Sequence, residues 1–572
     1  MLRPLGRGDS LCNEDLLDLS VHSGHIMPKY LKIFLILAFI LITNHRFAEK
    51  IIVFSEVGEF VKLTFFLFIW VTFVLSVFFL ANRKKGVIEI ILIIIFVLSA
   101  IVGDAYYRAT GNVIDLFALN ELLISTGFLN NALKTYSNEI YISVIGGFLG
   151  FSLLLPGHFW RKQLDRRFKK LTRFFIFIPL LMVIVVIIKT GGYGTNGLPS
   201  QLTTFSLTIV NSFIQKKNII GNHGYLPKPI ELSKINNIIF IVDESIRGDY
   251  IDLNMNRGVT PFLYSKRHEI INFGLTASGS NCSAESNLIL RYSAKKESID
   301  SIGEYHSIWE YAKGAGYETT YIDCQLNYDK LNNYMTYDET KHIDNFISLF
   351  DGKDDSIKYR DNKTIPIINK ILENGSKNFI LIVKSGVHFP YDQTYPKDQI
   401  IFRPTITDEK SNDNKKAFIN SYMNGVHWAV DSFFSNLLNV INFHDVLLVY
   451  TSDHGQNLRD KGLQPHCQSQ DPAWQQGMVP LLVLTQQEEL KEKFIHAANI
   501  NFDHVSHFNI FPTFLELFGY GKKYLELYEP PLFAKIDSEQ TFTSGLIFLY
   551  FGKKTFWNTF PKNKRQHLIT HY

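Results

Sequence analysis

Asp453, His454 and Gly455 close the run "VLLVYTSDHG", in which β-branched and aromatic residues lead straight into a carboxylate and an imidazole. A polar strand end followed by Gly is ordinary turn chemistry, but here the pattern recurs. "NNIIFIVDES" ends in Asp243, Glu244 and Ser245, "KNFILIVKSGVHFP" carries His388 after its apolar run, and His466 in "QPHCQSQDPAWQQGMVP" precedes another such run. Carboxylate oxygens and imidazole nitrogens in one mixed set suit Zn2+ or Mn2+, as one ion or two. Such an ion is a Lewis acid and lowers the pKa of a bound hydroxyl or water. Each residue alone also has a structural reading: Glu244 as a turn cap, and His388 and His454 as rim side chains bonded to carbonyls.

A metal site of this kind needs a nucleophile, and "TASGSNCSAESNLILR" (Thr276 to Arg291) offers one. Small residues and a Gly lead into an apolar helical run. A hydroxyl at that helix N-terminus would face an incoming anion beside unpaired backbone N–H groups. Ser280 and Ser283 are the two hydroxyls so placed, and the structural alternative is a serine that only caps the helix.

The elements around these residues alternate. "SIWEYAKGAGYETTYID" reads as a helix, a Gly turn and a strand, "SYMNGVHWAVDSFFSNLLNVI" as a long amphipathic helix, and "GMVPLLVL" as a further strand. Near-continuous apolar strands separated by helices predict an α/β domain over residues 234–525, with a mainly parallel sheet sandwiched by helices. In such sheets ligands bind at the carboxyl ends of the strands, where the polar residues fall.

The preceding third of the chain is different. The 572 residues include 47 Phe and 27 Tyr and are 46% hydrophobic, and the excess is concentrated in the first 190. Five apolar segments, about 30–43, 60–80, 87–102, 140–155 and 174–188, predict an N-terminal helical transmembrane bundle over residues 30–190. Lys29, Lys32, "NRKKG" (Asn82 to Gly86) and "RKQLDRRFKKLTR" (Arg161 to Arg173) fall on one side, which the positive-inside rule makes cytoplasmic. The large polar domain then lies outside, in the periplasm. Residues 1–29 lack the apolar core of a signal peptide, so the first span is expected to be an uncleaved anchor, with Met27 an alternative start.

"GGYGTNGLPS" opens a linker over 191–233, whose segment Gln201 to Asn222 is expected as a helix near the bilayer surface. In residues 526–572, "TSGLIFLYFGKKTFWN" is expected as a hairpin at the sheet edge and the basic "PKNKRQH" as a membrane-surface contact. A formal charge of +4 gives no case for nucleic-acid binding. Four cysteines, Cys12, Cys282, Cys324 and Cys467, make no disulfide framework.

Together these segments resemble the membrane-bound phosphoethanolamine transferases of bacterial lipopolysaccharide, within the alkaline phosphatase and sulfatase superfamily. "VDESIRGD" is similar to the family's strand-end Gly-Glu-Thr-x-Arg and implies Glu244 as a metal ligand. "TSDHGQNL" is similar to its Ser-Asp-His-Gly-Glu-Ser-Leu and implies Asp453 and His454 as ligands. "SGVHFPYDQTYP" corresponds to its Gly-Ser-His-Gly-Pro segment through His388, "SYMNGVHWAVD" to its Tyr-x-Asn helix ending near Asp431, and His466 with "QGMVPLLV" to its His followed by Gln-x-x-Val-Pro. The family's usual nucleophile directly follows Gly, which selects Ser280 after Gly279. Related phosphoglycerol transferases place it four residues after Gly, which selects Ser283, the better match in the acidic and hydroxyl residues that come after it.

The resemblance implies a periplasmic enzyme of the bacterial inner membrane. Its Zn2+-assisted reaction moves phosphoethanolamine from phosphatidylethanolamine through a phospho-enzyme on Ser283 to lipid A or an envelope glycan, with His388 or His466 handling charge or a proton. The family is rich in disulfides, which raises a Cys282–Cys324 bridge as an expectation. Alternatives are a phosphoglycerol transferase, a phosphodiester or sulfate-ester hydrolase, or a catalytically silent envelope-assembly protein. The modified-cysteine sulfatase route needs Pro and Arg after the nucleophile, where Cys282 is followed by Ala284 and Ser286 at those positions.

Overall fold

The computed structural model describes residues 29–81, 86–124, 129–155, 175, 177–213, 223, 225–325, 331–350, 357–410, 414–545 and 555–570. The expectations for residues 1–28, for most of "NRKKG", for "RKQLDRRFKKLTR" and for the middle of the C-terminal hairpin lie outside the described residues.

The sheet is built from chain segments that are apolar on both sides, and every residue of β1 (Asn237–Asp243) is buried. Ile238, Phe240 and Val242 face one core with Trp309, Phe511, Phe514 and Phe518. Ile239 and Ile241 face the opposite core with Tyr422, Val430, Phe433 and Phe434. Alternation across the pleat therefore feeds two apolar cores, and helices close both faces, as a sandwiched sheet requires.

With β2 (Ile271–Ala277), β3 (Glu318–Asp323), β4 (Asn345–Ser348), β5 (Asn378–Val383), β6 (Val446–Ser452) and β7 (Met478–Thr485), the order is β2-β7-β6-β1-β5-β3-β4. From β6 through β1, β5 and β3 to β4 all pairings are parallel. The sheet is thus mainly parallel, as expected, and becomes mixed at one side, where β7 runs antiparallel to β6 and β2 antiparallel to β7. The reason is the β6–β7 connection, which carries only the short 3-10 turn Trp474–Gly477. A parallel neighbour needs a crossover of helical size, and the chain here simply turns back.

In the N-terminal part, the described residues of all five expected apolar segments are helical. Among the described residues, three helices are long and apolar enough to cross a membrane, Phe60–Ala81, Val87–Thr110 and Ser137–Leu154, or up to four if one bent pair is a single span. The first segment, Lys29–Ile42, and the fifth, Phe177–Thr190, have 14 residues each. The bent pair is Tyr30–Ile42 and Phe47–Glu56, which meet at 65°. At the break, Asn44 Nδ2 donates to the Ile40 carbonyl (2.5 Å) and to Gln201 Oε1 (3.1 Å), so a side chain replaces the backbone ladder. The helix Ser200–Phe213 packs within this bundle: Leu202, Leu207 and Val210 join its apolar core, and Thr204 Oγ1 donates to the Ser99 carbonyl at 3.1 Å.

Direct bonds tie the helical part to the α/β domain. Asn112 Nδ2 donates to Gln464 Oε1 (2.8 Å), Gln470 Nε2 to the Tyr193 carbonyl (2.8 Å), and Ser469 Oγ to Asp115. At the C-terminus Thr541–Thr543 and Trp557–Thr559 pair as a separate two-stranded sheet. The basic tail docks on the domain, where Arg565 grips both oxygens of Asp503.

Candidate active site

β1 and β6 are adjacent and in register, with Asp243 opposite Ser452. Their strand ends therefore deliver Glu244, Asp453 and His454 to one point. All three are buried, and one donor atom from each lies within 4.8 Å of the other two. Holding them there strains the backbone: Ser245 sits at φ 64, its N–H donating to Asp453 Oδ1 (3.0 Å) and its hydroxyl to Glu244 Oε1 (2.7 Å). Gly386, after β5, is at φ 49, and a Cβ there would meet the Glu244 carbonyl at 2.4 Å, so only glycine allows this approach.

The helix Ser283–Tyr292 points its N-terminus at the same cluster. Ser283 Oγ donates to Glu244 Oε2 at 3.2 Å and lies 3.1 Å from His454 Nε2. Ser280 faces elsewhere: it is fully buried and its hydroxyl donates to the Thr543 carbonyl.

The His454 ring meets the Gly455 carbonyl through Nδ1 at 2.7 Å. A carbonyl only accepts, so Nδ1 carries the hydrogen and Nε2 turns a lone pair toward the cluster. Asp453 Oδ2 is buried and accepts no hydrogen bond. Burial and the neighbouring Glu244 carboxylate push Asp453 up to about 7, and burial pushes Glu244 up as well. Two buried carboxylates, an outward lone pair and an orphaned oxygen fit a divalent cation, which would satisfy all of them.

His388 and His466 stand behind the cluster. The His466 ring stacks on His454 (centroids 4.5 Å) and meets His388 edge-on (5.6 Å). Burial holds both below the usual imidazole range, and for His466 the neighbouring His454 and His388 deepen the shift. Burial therefore favours the neutral ring in both. Asp431 is not in this group, because its carboxylate caps Phe262 and Leu263. Asp243 is instead held in a buried ion pair with Lys384.

A bridge joins Cys282 to Cys467, with Cα atoms 4.7 Å apart, and Cys324 is a buried free thiol. This corrects the Cys282–Cys324 expectation: Cys324 continues β3, its N–H bonded to Val383 of β5, whereas Cys467 N–H bonds to Asn281 beside Cys282. The bridge clamps the Ser283 helix to the His466 loop across 185 residues of sequence. Its removal by Cys467→Ser is expected to cost about 2–5 kcal/mol, read from denaturant midpoints against the wild type.

Residues the sequence reading missed support the cluster. Gln325, just past β3, donates from Nε2 to Glu244 Oε2 (3.1 Å) and to the Lys384 carbonyl (2.9 Å). The rule that points to strand ends applies to β3 as well and would have found it. Replacing it as Gln325→Leu removes one of the two hydrogen bonds to Glu244 Oε2 and is expected to weaken metal retention about 10- to 100-fold, measured by competition with a chelator. His507 is also buried and accepts from the Gly279 N–H at Nδ1 (3.1 Å), steadying the loop before Ser283. Nothing in its own sequence surroundings marks it.

The cluster opens into a cavity of about 240 Å³. Its walls include Ser283, Glu244, His388 and His466 from the α/β domain, and Tyr106, Ala118 and Leu122 from the helical part. Reagents would thus reach the serine between the two parts of the molecule.

Residues 236–520 match the sulfatase family model. The chain carries a sulfatase-family domain. Its curated relatives include Kdo(2)-lipid A phosphoethanolamine 7''-transferase of Escherichia coli K12, 21% identical over 242 residues, and that of Salmonella typhimurium, 29% identical over 94 residues. These matches take in 39% and 16% of this chain, and only 40% and 16% of the relatives' own lengths. The fold extends further. The integral membrane protein lipooligosaccharide phosphoethanolamine transferase A of Neisseria meningitidis superposes with a TM-score of 0.61 at 18% identity, over 88% of this chain and 99% of that one. The sulfatase domain and its apolar helical partner therefore share one architecture with that protein.

Proposed function

We propose that this protein transfers phosphoethanolamine from phosphatidylethanolamine to lipid A or another envelope glycan, through a covalent intermediate on Ser283. The observation that carries this reading is the Ser283 hydroxyl, placed between Glu244 and His454 in a cavity that apolar helices help to wall. Glu244, Asp453, His454 and Ser283 would hold Zn2+, or Mn2+, which when bound lowers the pKa of the serine hydroxyl and offsets charge on the phosphoryl oxygens.

Ser283 Oγ forms the bond to phosphorus as the bond to the diacylglycerol oxygen breaks. The serine proton passes to a neutral imidazole, His388 or His466, and on to the departing oxygen. An acceptor hydroxyl then attacks the phosphorus, gives its proton to the same imidazole, and Ser283 Oγ leaves and takes it back. Membrane helices beside the cavity suit a lipid donor, and they support a location in the bacterial inner membrane with the sulfatase domain in the periplasm.

The test is intact-mass spectrometry of the full-length protein in detergent after incubation with phosphatidylethanolamine and zinc. A phosphoethanolamine adduct with release of diacylglycerol is expected. An adduct formed from phosphatidylglycerol instead would assign phosphoglycerol transfer, and diacylglycerol release with no labelled glycan would assign hydrolysis.

A further inference from the structure

A second group of metal-ligating side chains lies away from Ser283, where the chain enters the sulfatase domain. His223 stands between the helix Ser200–Phe213 and β1. Its Nδ1 is 3.3 Å from Glu310 Oε2, and His306 Nδ1 is 2.9 Å from Glu310 Oε1. The three donor atoms lie within 4.8 Å of one another. The side chains of His223 and Glu310 are 9% and 7% exposed, that of His306 19%, so the group is sheltered with one open side.

His223 Nε2 meets the Gly303 carbonyl at 3.0 Å and must carry a hydrogen there. Nδ1 faces the Glu310 carboxylate, so a positive charge stands between them, carried either by a proton or by a bound cation. Two ligand atoms about 2.0 Å from a tetrahedral ion stand about 3.3 Å apart, which the joint spacing of the three donor atoms, all within 4.8 Å, leaves room for. An imidazole bound through one nitrogen with its other N–H on a backbone carbonyl is the usual outer support of a ligating histidine. Glu310 is likewise braced, its Oε2 accepting from Ser307 N–H (2.7 Å) and Oγ (2.9 Å).

We propose that His223, His306 and Glu310 form a second transition-metal site, of the Zn2+ class, that fastens the segment leaving the membrane helices to the sulfatase domain. Two histidines and a glutamate leave a fourth position for water on the open side.

The test counts metal on the full-length protein in detergent, loaded with Zn2+ and stripped of excess, by mass spectrometry of the element. His306→Gln is expected to carry one ion fewer than wild type, and the deficit to add to that of Asp453→Asn. Equal zinc in wild type and His306→Gln would overturn the proposal and leave the group as a proton-held ion pair. The Asp453→Asn protein loaded with Co2+ provides a reading that needs no change at the second site. It is expected to show the intense visible bands of tetrahedral Co2+, and their absence would also overturn the proposal.

Discussion

Ser283→Ala is expected to abolish the covalent adduct and to lower transfer by about 10⁴-fold or more, because no other hydroxyl faces both Glu244 and His454 among the described residues. Ser280→Ala is the matched control. Its hydroxyl serves the Thr543 carbonyl, so turnover is expected to stay within a few-fold of wild type. Labelled phosphatidylethanolamine, followed as label on protein and on glycan, reads both variants. Full activity in Ser283→Ala, or loss only in Ser280→Ala, would move the nucleophile and with it the proposed mechanism. Zinc content separates the chemistry from the metal: Ser283→Ala is expected to keep its ion, since three of the four proposed ligands remain.

The second large effect is expected at Asp453. Asp453→Asn keeps the shape and the acceptor for the Ser245 and His454 N–H groups, but it removes the charge whose Oδ2 has no other partner. Metal is expected to be lost from the Ser283 site and transfer to fall about 10³-fold or more. Elemental analysis and the labelled-lipid assay read the two effects together. An Asp453→Asn protein that transfers at the wild-type rate would remove the metal from the mechanism. Because zinc content here also reports the site at His223, the comparison is made with His306→Gln in the same preparation.

Much of the sulfatase domain is legible in the sequence because its strands are apolar without interruption. β1, β5 and β6 are flanked by polar turns, and the rule for strand ends picks out Glu244, His388, Asp453 and His454 directly. β2 and β4 escape it, since "INFGLTA" and "NFIS" are short and carry polar residues within the run. The antiparallel direction of β7 is not legible, because its sequence is as apolar as that of a parallel strand. Only the missing crossover helix before it distinguishes the two, and composition does not register an absence. In the helical part, hydropathy marks where apolar residues are, whereas the break at Asn44 depends on a side chain that takes over backbone bonds.

By itself, then, the sequence determined the residue types at the site, the two-part organisation and the side of the sheet on which chemistry would occur, since these derive from periodicity and local order. The tertiary structure set Ser283 rather than Ser280 beside Glu244 and His454, paired Cys282 with Cys467 rather than Cys324, and brought Gln325 and His507 against the cluster. It also walled the cavity with residues of the helical part and gathered His223, His306 and Glu310. Each of these depends on contacts between residues far apart in the chain, and the energy of such contacts is set by packing geometry that no local pattern encodes.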